Sequence, residues 1–387
     1  MVGERMPLFP ESLKRRFRPE PIIRDLEIRE LIQRSLTFQE SLLKTKAKIA
    51  PADFAWYPWD SFGTLSLLEK LLTGRHRFLR ALIGSEPVMD IGCGDGDLSF
   101  FFESLGYRVC AIDNPPTNYN RMRGVDALKT ALQSSVRIAT GDLDSDFRLP
   151  VRRCGLAVCF GILYHLKNPL GVLEALSTRS RYCLLSTAIT GFAPDRQTAV
   201  SQLPVAFLAD RDGLRGDETN YWIFSEAGLR TLVDRAGWDV CDWMVARDPG
   251  SILWNTQADE RVICLLRSRA HAPVPCSQLA GGWHVLENGA WRWTERRFSV
   301  ALAPDTRMMT LKCAAPEVLL LPLTLTASVN GMPLATYPMP QTGDYEFVLR
   351  IPATDRETLV EFELDRALAP DAKDNRERGI IVRAVEI

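Results

Sequence analysis

The stretch VMDIGCGDGDLSFFF, residues 88–102, constrains the fold more than any other part of the chain. An apolar run ends in Asp90, glycines follow at Gly92, Gly94 and Gly96, and a helical pattern begins at Asp97. Glycine permits a tight left-handed turn and lets a ligand touch the main chain. The helix that follows offers unpaired N–H groups in its first turn. Such a strand, loop and helix place a ligand at the carboxyl edge of a parallel sheet. A dinucleotide loop runs G-x-G-x-x-G and aims the helix at a pyrophosphate. Here the spacing is G-x-G-x-G, and Asp90, Asp95 and Asp97 surround it. Three carboxylates repel a pyrophosphate and suit a ligand that carries cationic groups.

The surrounding pattern alternates strand and helix. Strand-like runs are VMDIG from 88, RVCAID from 108, VRIATGDL from 136, GLAVCFGIL from 155 and RYCLLSTAI from 181. Two more, WDVCDWMV from 238 and ERVICLLR from 260, follow a longer gap. Helical patterns fall at 97–105, 119–132, 169–176 and 225–236. Apolar strands separated by helices predict a parallel sheet covered on both faces. The expected α/β fold is a Rossmann-like, doubly wound, seven-stranded sheet that ends in a hairpin.

Two other segments flank it. Residues 1–77 form a helical N-terminal extension, with apolar residues at helical spacing over 22–49 and an aromatic cluster, WYPWDS, at 56–61. Residues 78–270 hold the sheet. Residues 271–387 alternate in short strands such as WRWTERRFSVAL and TLVEFEL, divided by turns such as VNGMP, and predict an all-β sandwich. The net charge of −1 provides no basic field for nucleic acid or an anionic membrane. Nine singly scattered cysteines suit a reduced, cytoplasmic protein rather than a disulfide scaffold. No apolar signal core opens the chain, and no run is long enough to span a bilayer. No His/Cys/Asp cluster has metal-ligand spacing, so no metal is expected.

The ends of the later strands narrow the ligand. The second strand ends at Asp113, followed by Asn114, where a carboxylate takes both hydroxyls of a ribose. The third ends in GDL, which places Asp142 to accept an adenine amino group and Leu143 to pack on the ring. The fourth ends in CFGILYHLKNP, with Phe160, Tyr164 and His165 at the mouth. Cys93, inside the loop, reads as a small space-filler beside the ligand. An adenosine joined to a cationic amino-acid sulfonium fits this set, which makes S-adenosylmethionine the expected cofactor.

DIGCGDG, AID, GDL and LYHLKNP together resemble the class I S-adenosylmethionine-dependent methyltransferases. The resemblance implies that Asp90 and the glycines cradle the methionine part, Asp113 the ribose and Asp142 the adenine. The longer pattern WYPWDS, DIGCGDG, GILYHLKNPL and TNYWIFSEAGLRTLVDRAGW is similar to the wobble-uridine tRNA carboxymethyltransferase family. That likeness implies a tRNA acceptor and a carboxylated donor. The preferred acceptor is a glycan or small metabolite with an oxygen or nitrogen nucleophile. A donor-binding scaffold without catalysis is a third reading.

Several residues carry two readings. His165 is either the general base for the attacking group or a histidine that ties down the strand end. The resemblance implies that Tyr164 is a substrate or donor contact; otherwise it is a half-buried strand-end aromatic. WYPWDS is a lid over the donor or an anchor for the N-terminal helices, and the anchor is favoured. The insertion at 197–222, with RDGLRGDETNYW, is a substrate cover or a surface excursion. Trp283, Trp291 and Trp293 are core residues or a sugar-stacking surface, with core favoured. GWHVLE and WRWT look like β-domains attached to bacterial glycan-modifying enzymes.

Overall fold

The computed structural model describes residues 22–145, 149–195, 197–209, 219–247, 260–271 and 276–387. The described chain divides into two compact units: residues 22–26 group with 276–387, and the described residues between 27 and 271 form the other. The segment read as an N-terminal extension is thus split at Leu26. Most of the 210–222 stretch lies outside the described residues.

The unit 27–274 opens with helices α1 (Ile28–Ile49), α2 (Ser61–Ser66), α3 (Leu68–Leu71) and α4 (Leu79–Ile83). Then follow β1 (Val88–Ile91), α5 (Asp97–Ser104), β2 (Val109–Asp113), α6 (Arg123–Leu132), β3 (Arg137–Thr140), β4 (Cys154–Phe160), α7 (Pro169–Ser177) and β5 (Ser180–Ile189). The remainder is β6 (Ala206–Leu208), β7 (Trp222–Phe224), α8 (Glu226–Arg235), β8 (Trp238–Arg247) and β9 (Glu260–Ser268). β3, β2, β1, β4 and β5 lie side by side in parallel. β9 runs antiparallel to β5, and β8 antiparallel to β9. This is the expected seven-stranded sheet with its closing hairpin.

The local pattern did not reveal the ribbon of β6 and β7, which joins the far end of β5 through one pair, Ile189 with Phe224. Each of its strands is three residues long, too short to show a period. Helix α6 starts at Arg123 rather than near Tyr119. Arg121 and Met122 stand at positive φ, and Asn118 is used in side-chain hydrogen bonds instead.

Registry puts Asp90, Val158 and Leu184 on one face of the sheet, and with them Phe160, Ser186 and Arg261. Residues 73–76 pack on that face. Thr73 Oγ1 donates to Asp242 at 2.7 Å, His76 Nδ1 lies 2.8 Å from the same carboxylate, and the His76 ring sits 6.0 Å from that of Tyr182. The opposite face carries Met89, Ala157, Cys159, Cys183 and Cys264 against Leu173, Leu176, Leu229 and Val233 of α7 and α8. Near-continuous apolar strands are what this double covering demands.

The second unit is all antiparallel. One sheet has the order β10 (Gln278–Leu279), β13 (Arg297–Leu302), β18 (Thr358–Leu364), β15 (Leu323–Val329) and β16 (Met332–Met339). The other runs β11 (Trp283–Glu287), β12 (Trp291–Thr294), β19 (Ile381–Glu386), β14 (Met308–Ala315) and β17 (Gly343–Arg350). Alternation is plain in β18, where Thr358, Val360, Phe362 and Leu364 are buried and the residues between them are not. Trp283 belongs to the core: its indole N–H donates to Ser299 O at 2.8 Å and its ring meets Phe298 edge-on. Trp291 and Trp293 are only half-buried, with Arg378 over the Trp293 ring. Among the described residues no helix is long and apolar enough to cross a membrane.

Arg292 ties the start of the chain to this unit. It is fully buried, and its guanidinium donates to Ile23 O at 2.7 Å, Asp25 O at 2.6 Å and His284 O at 2.9 Å. A buried cation is tolerated only when such acceptors surround it. Arg292→Met is expected to cost about 3–5 kcal/mol, because it strands three buried carbonyls. Urea unfolding of the full chain measures this, and amide exchange at residues 22–26 should rise with it. Unchanged stability and protection would show that Arg292 does not hold the segment.

Candidate functional site

The glycine loop is closed by the main chain. Gly92 N–H donates to Ile112 O at 2.9 Å and Gly96 N–H to Cys93 O at 2.8 Å. Gly92 has φ of +71°, and a Cβ there would stand 2.8 Å from Ile162 Cδ1. Gly96, the cap of α5, has φ of +83°, and its Cβ would stand 2.7 Å from Val125. Both positions demand glycine on conformation and on space. Beside Gly94 the ring of Tyr57 lies 3.5 Å from where a Cβ would be.

Asp113, at the end of β2, is held ready. Its Oδ2 accepts from Gly94 N–H at 2.8 Å and from Asn118 Nδ2 at 2.9 Å, and its Oδ1 from Asn114 N–H at 2.7 Å. A carboxylate has about four lone-pair sites, so one remains, on Oδ1, for a ligand hydroxyl. Burial raises this carboxyl, and the three hydrogen bonds offset only part of the rise. Asp90 is 4% exposed and accepts from Ser99 Oγ at 2.6 Å. Burial pushes it up to about 6. A cationic ligand nearby would restore its charge, so the cradle fits a sulfonium amino acid on both space and electrostatics. Burial also pushes the Cys93 thiol well above its ordinary value, which makes it inert at neutral pH.

Asp95 and Asp97 require a correction. They do not add free negative charge beside the ligand, because both are spent inside the protein. Lys46, near the end of α1, lies 3.3 Å from Asp95 and 2.9 Å from Asp97. Asp95 also accepts from Tyr57 N–H at 2.8 Å and Asn120 Nδ2 at 2.7 Å. Of the three carboxylates around the loop only Asp90 is left for a ligand, with Asp113 beside it at the end of β2.

The other expected residues are distributed along the same edge. Asp113 pairs with Thr140 across β2 and β3, so Asp142 and Leu143 emerge just beyond it. Asp142 is exposed, and its Oδ1 accepts from Asp144 N–H at 3.0 Å. Leu143 is buried in the cluster that includes Ile112. Phe160 pairs with Ser186 at the end of β4. Tyr164 and His165 lie in the helical turn Leu163–His165, with rings 4.4 Å apart. The turn is fastened to 219–222: Tyr221 N–H donates to Tyr164 O at 2.8 Å, and His165 Nδ1 lies 2.9 Å from Thr219 Oγ1.

WYPWDS combines both readings. Trp56 is an anchor, edge-on to Phe54 at 5.1 Å with Lys46 5.4 Å from its ring centre. Tyr57 forms a wall of the loop, and Trp59 stands at the exposed rim beside Tyr119 at 5.8 Å. Sequence reasoning missed Lys46, Ser99, Asn118, Asn120 and Arg261. Arg261, at the start of β9, donates to Ser186 Oγ at 3.1 Å. Burial raises the Tyr57 phenol far above its ordinary value, with Tyr164, Asp113 and Asp95 adding to the shift and Arg261 opposing it.

Asp90 links this site to stability. The folded chain holds the Asp90 proton more tightly than the unfolded chain, whose value is near the ordinary 3.8. Stability therefore falls as pH rises between about 4 and 6, and the charged group costs about 3 kcal/mol above that window. Asp90→Asn is expected to raise unfolding free energy by up to about 3 kcal/mol near pH 7.5 and to change it little near pH 4. Urea titrations at the two pH values measure the difference. Equal effects at both would contradict the burial argument.

Residues 65–242 match the family model described as a methyltransferase domain. No curated protein matches the chain. Among solved structures, the chain is similar to the N-terminal domain of EvdMO1, determined in the presence of SAH and D-fucose. That match has 16% identity, spans 65% of this chain and all of the other, and has a TM-score of 0.38. A SAM-dependent methyltransferase from Methanosarcina mazei matches at 17% identity over 49% of this chain and 95% of its own, with a TM-score of 0.35. TehB from Haemophilus influenzae matches at 16% over 49% and 60%, with a TM-score of 0.36. The family match covers β1, the glycine loop and Asp113, so residues 65–242 are similar to a methyltransferase domain.

Proposed function

We propose that the protein methylates an oxygen or nitrogen nucleophile of a glycan or small metabolite. The observation that carries this reading is the group beside the glycine loop, where Tyr57 lies close enough to Tyr164, Asp113 and Arg261 to feel their charge and Arg261 donates to Ser186 Oγ at 3.1 Å. A tRNA site needs many cations to displace counterions, and the chain's net charge is −1.

In this reading the Asp90 side of the glycine cradle takes the methionine part of the cofactor and Asp113 takes a ribose hydroxyl. Asn114, Asp142 and Leu143 take the adenine side, and Phe160 closes the edge. S-adenosylmethionine, when bound, supplies a methyl already activated by its sulfonium charge. The residues then have to align the acceptor and exclude water, which supplies much of the rate. His165, oriented by Thr219, receives the acceptor's proton, and Tyr164 positions the nucleophile.

The second reading, a wobble-uridine tRNA (carboxy)methyltransferase, is favoured by one observation. Among the described residues Arg261 has no carboxylate within ion-pair distance, so it suits a carboxylate on the donor. A scaffold without catalysis is the third.

The test is S-adenosylhomocysteine release from S-adenosylmethionine with sugar nucleotides, methyl glycosides and bulk tRNA as acceptors. A sugar acceptor should be turned over, and His165→Ala should lower that turnover by about 10²–10⁴ with donor affinity unchanged. Activity on tRNA alone promotes the second reading, and donor binding without turnover promotes the third. Full activity in a stable His165→Ala protein ends the base assignment.

A further inference from the structure

Two large aromatic side chains stand exposed where the donor site opens. Trp59 is 49% exposed and Tyr119 is 51% exposed. Their ring centres are 5.8 Å apart and their planes are 84° apart. Tyr57 touches both, at 4.9 Å from Trp59 and 6.2 Å from Tyr119, the latter at 86°. Exposed aromatics grouped at the edge of a site cost solvation and mark a surface that a ligand covers.

These rings are not on loose chain. Tyr119 lies between Asn118, bound to Asp113 at 2.9 Å, and Asn120, bound to Asp95 at 2.7 Å. Trp59 lies between Tyr57, whose N–H is held by Asp95, and Asp60. Asp60 caps α2 through Phe62 N–H at 2.9 Å and accepts from Gln39 at 3.0 Å. The carboxylates that shape the donor loop therefore also fix the aromatic rim. A surface fixed in advance loses little entropy when a ligand docks.

The angles select the ligand. A flat base or aromatic metabolite is gripped best between parallel rings, and here both contacts to Tyr119 are perpendicular. The rings make a notch, with one open face and one flanking edge. A saccharide ring fits it, because its C–H face stacks on an aromatic while its hydroxyls project sideways. A hydroxyl partner is present: among the described residues the Tyr57 phenol has no hydrogen-bond partner. Burial beside carboxylates keeps that phenol protonated, so it donates at any working pH.

We propose that Trp59, Tyr119 and the Tyr57 hydroxyl form a saccharide subsite beside the methyl donor, and that the acceptor docks there by the C–H face of a sugar ring. This rests on the methyl-transfer reading and names its acceptor class. Trp59 and Tyr119 set specificity and take no part in the bond changes.

The test uses the full chain with S-adenosylhomocysteine present. Saturation-transfer NMR is run with methyl glycosides of glucose, galactose, mannose and fucose, and with catechol as a planar aromatic. At least one glycoside should bind, with saturation concentrated on its ring C–H protons. Trp59→Ala and Tyr119→Ala should each weaken it about tenfold or more, while Trp59→Phe retains most of it. Affinity for S-adenosylhomocysteine, by calorimetry, should stay within about twofold in all three variants, because both rings lie outside the cradle. Binding of catechol alone, of no glycoside, or of glycosides equally in the alanine variants overturns the subsite. Failure of the unaltered protein to bind S-adenosylhomocysteine is a separate result that overturns the donor reading itself.

Discussion

The buried contact of Lys46 with Asp95 and Asp97 is the interaction on which the site depends. Two carboxylates of the glycine loop are taken out of water, and desolvation alone would expel them or protonate them. Lys46 meets both, from a helix that begins at Ile28. Asp95 in turn holds Tyr57 and Asn120. Those two residues fix the aromatic segment on one side of the loop and the turn after β2 on the other. A helix well upstream of the sheet is therefore part of the donor site's wall. Such an ion cluster is weak evidence of stability, since a packed apolar substitute often does as well. Its role here is to fix one geometry.

A second tension lies in Asp90. Its carboxyl is buried and pushed up to about 6, which the apo fold bears as a cost near neutral pH. The proposed function gives a reason for so costly a residue: a cationic group bound in the cradle would recover what burial takes from folding. Sites commonly carry destabilising residues for this reason. Asp113 has the opposite arrangement, with three donors already in place before any ligand arrives. One acid is kept strained for charge and the other is satisfied for position.

Much of this was legible in the chain, for a physical reason. Strand and helix periods are local, so all seven strands of the main sheet and the alternation of β18 could be read from short windows. The glycine spacing marked the loop because only glycine tolerates both the positive φ at Gly92 and Gly96 and the contacts with Ile162 and Val125. Which way Asp95 and Asp97 point was not legible. Their partner lies 49 and 51 residues upstream, and no pattern in a short window encodes a pairing of that range. Arg261 escaped for the same reason, since only the β5–β9 register brings it to Ser186. Trp283, Trp291 and Trp293 looked equivalent in sequence, but the fold buries one and leaves two half-buried.

Calorimetric titration of S-adenosylmethionine into the unaltered protein and into Lys46→Met tests the central claim most directly. Methionine keeps most of the apolar stem of the lysine and removes the ammonium group. If Lys46 sets the donor loop, the unaltered protein binds one equivalent and the variant, still cooperatively folded, binds about tenfold or more weakly. Equal affinities would show that the loop keeps its shape without the ion cluster, and the account would fail.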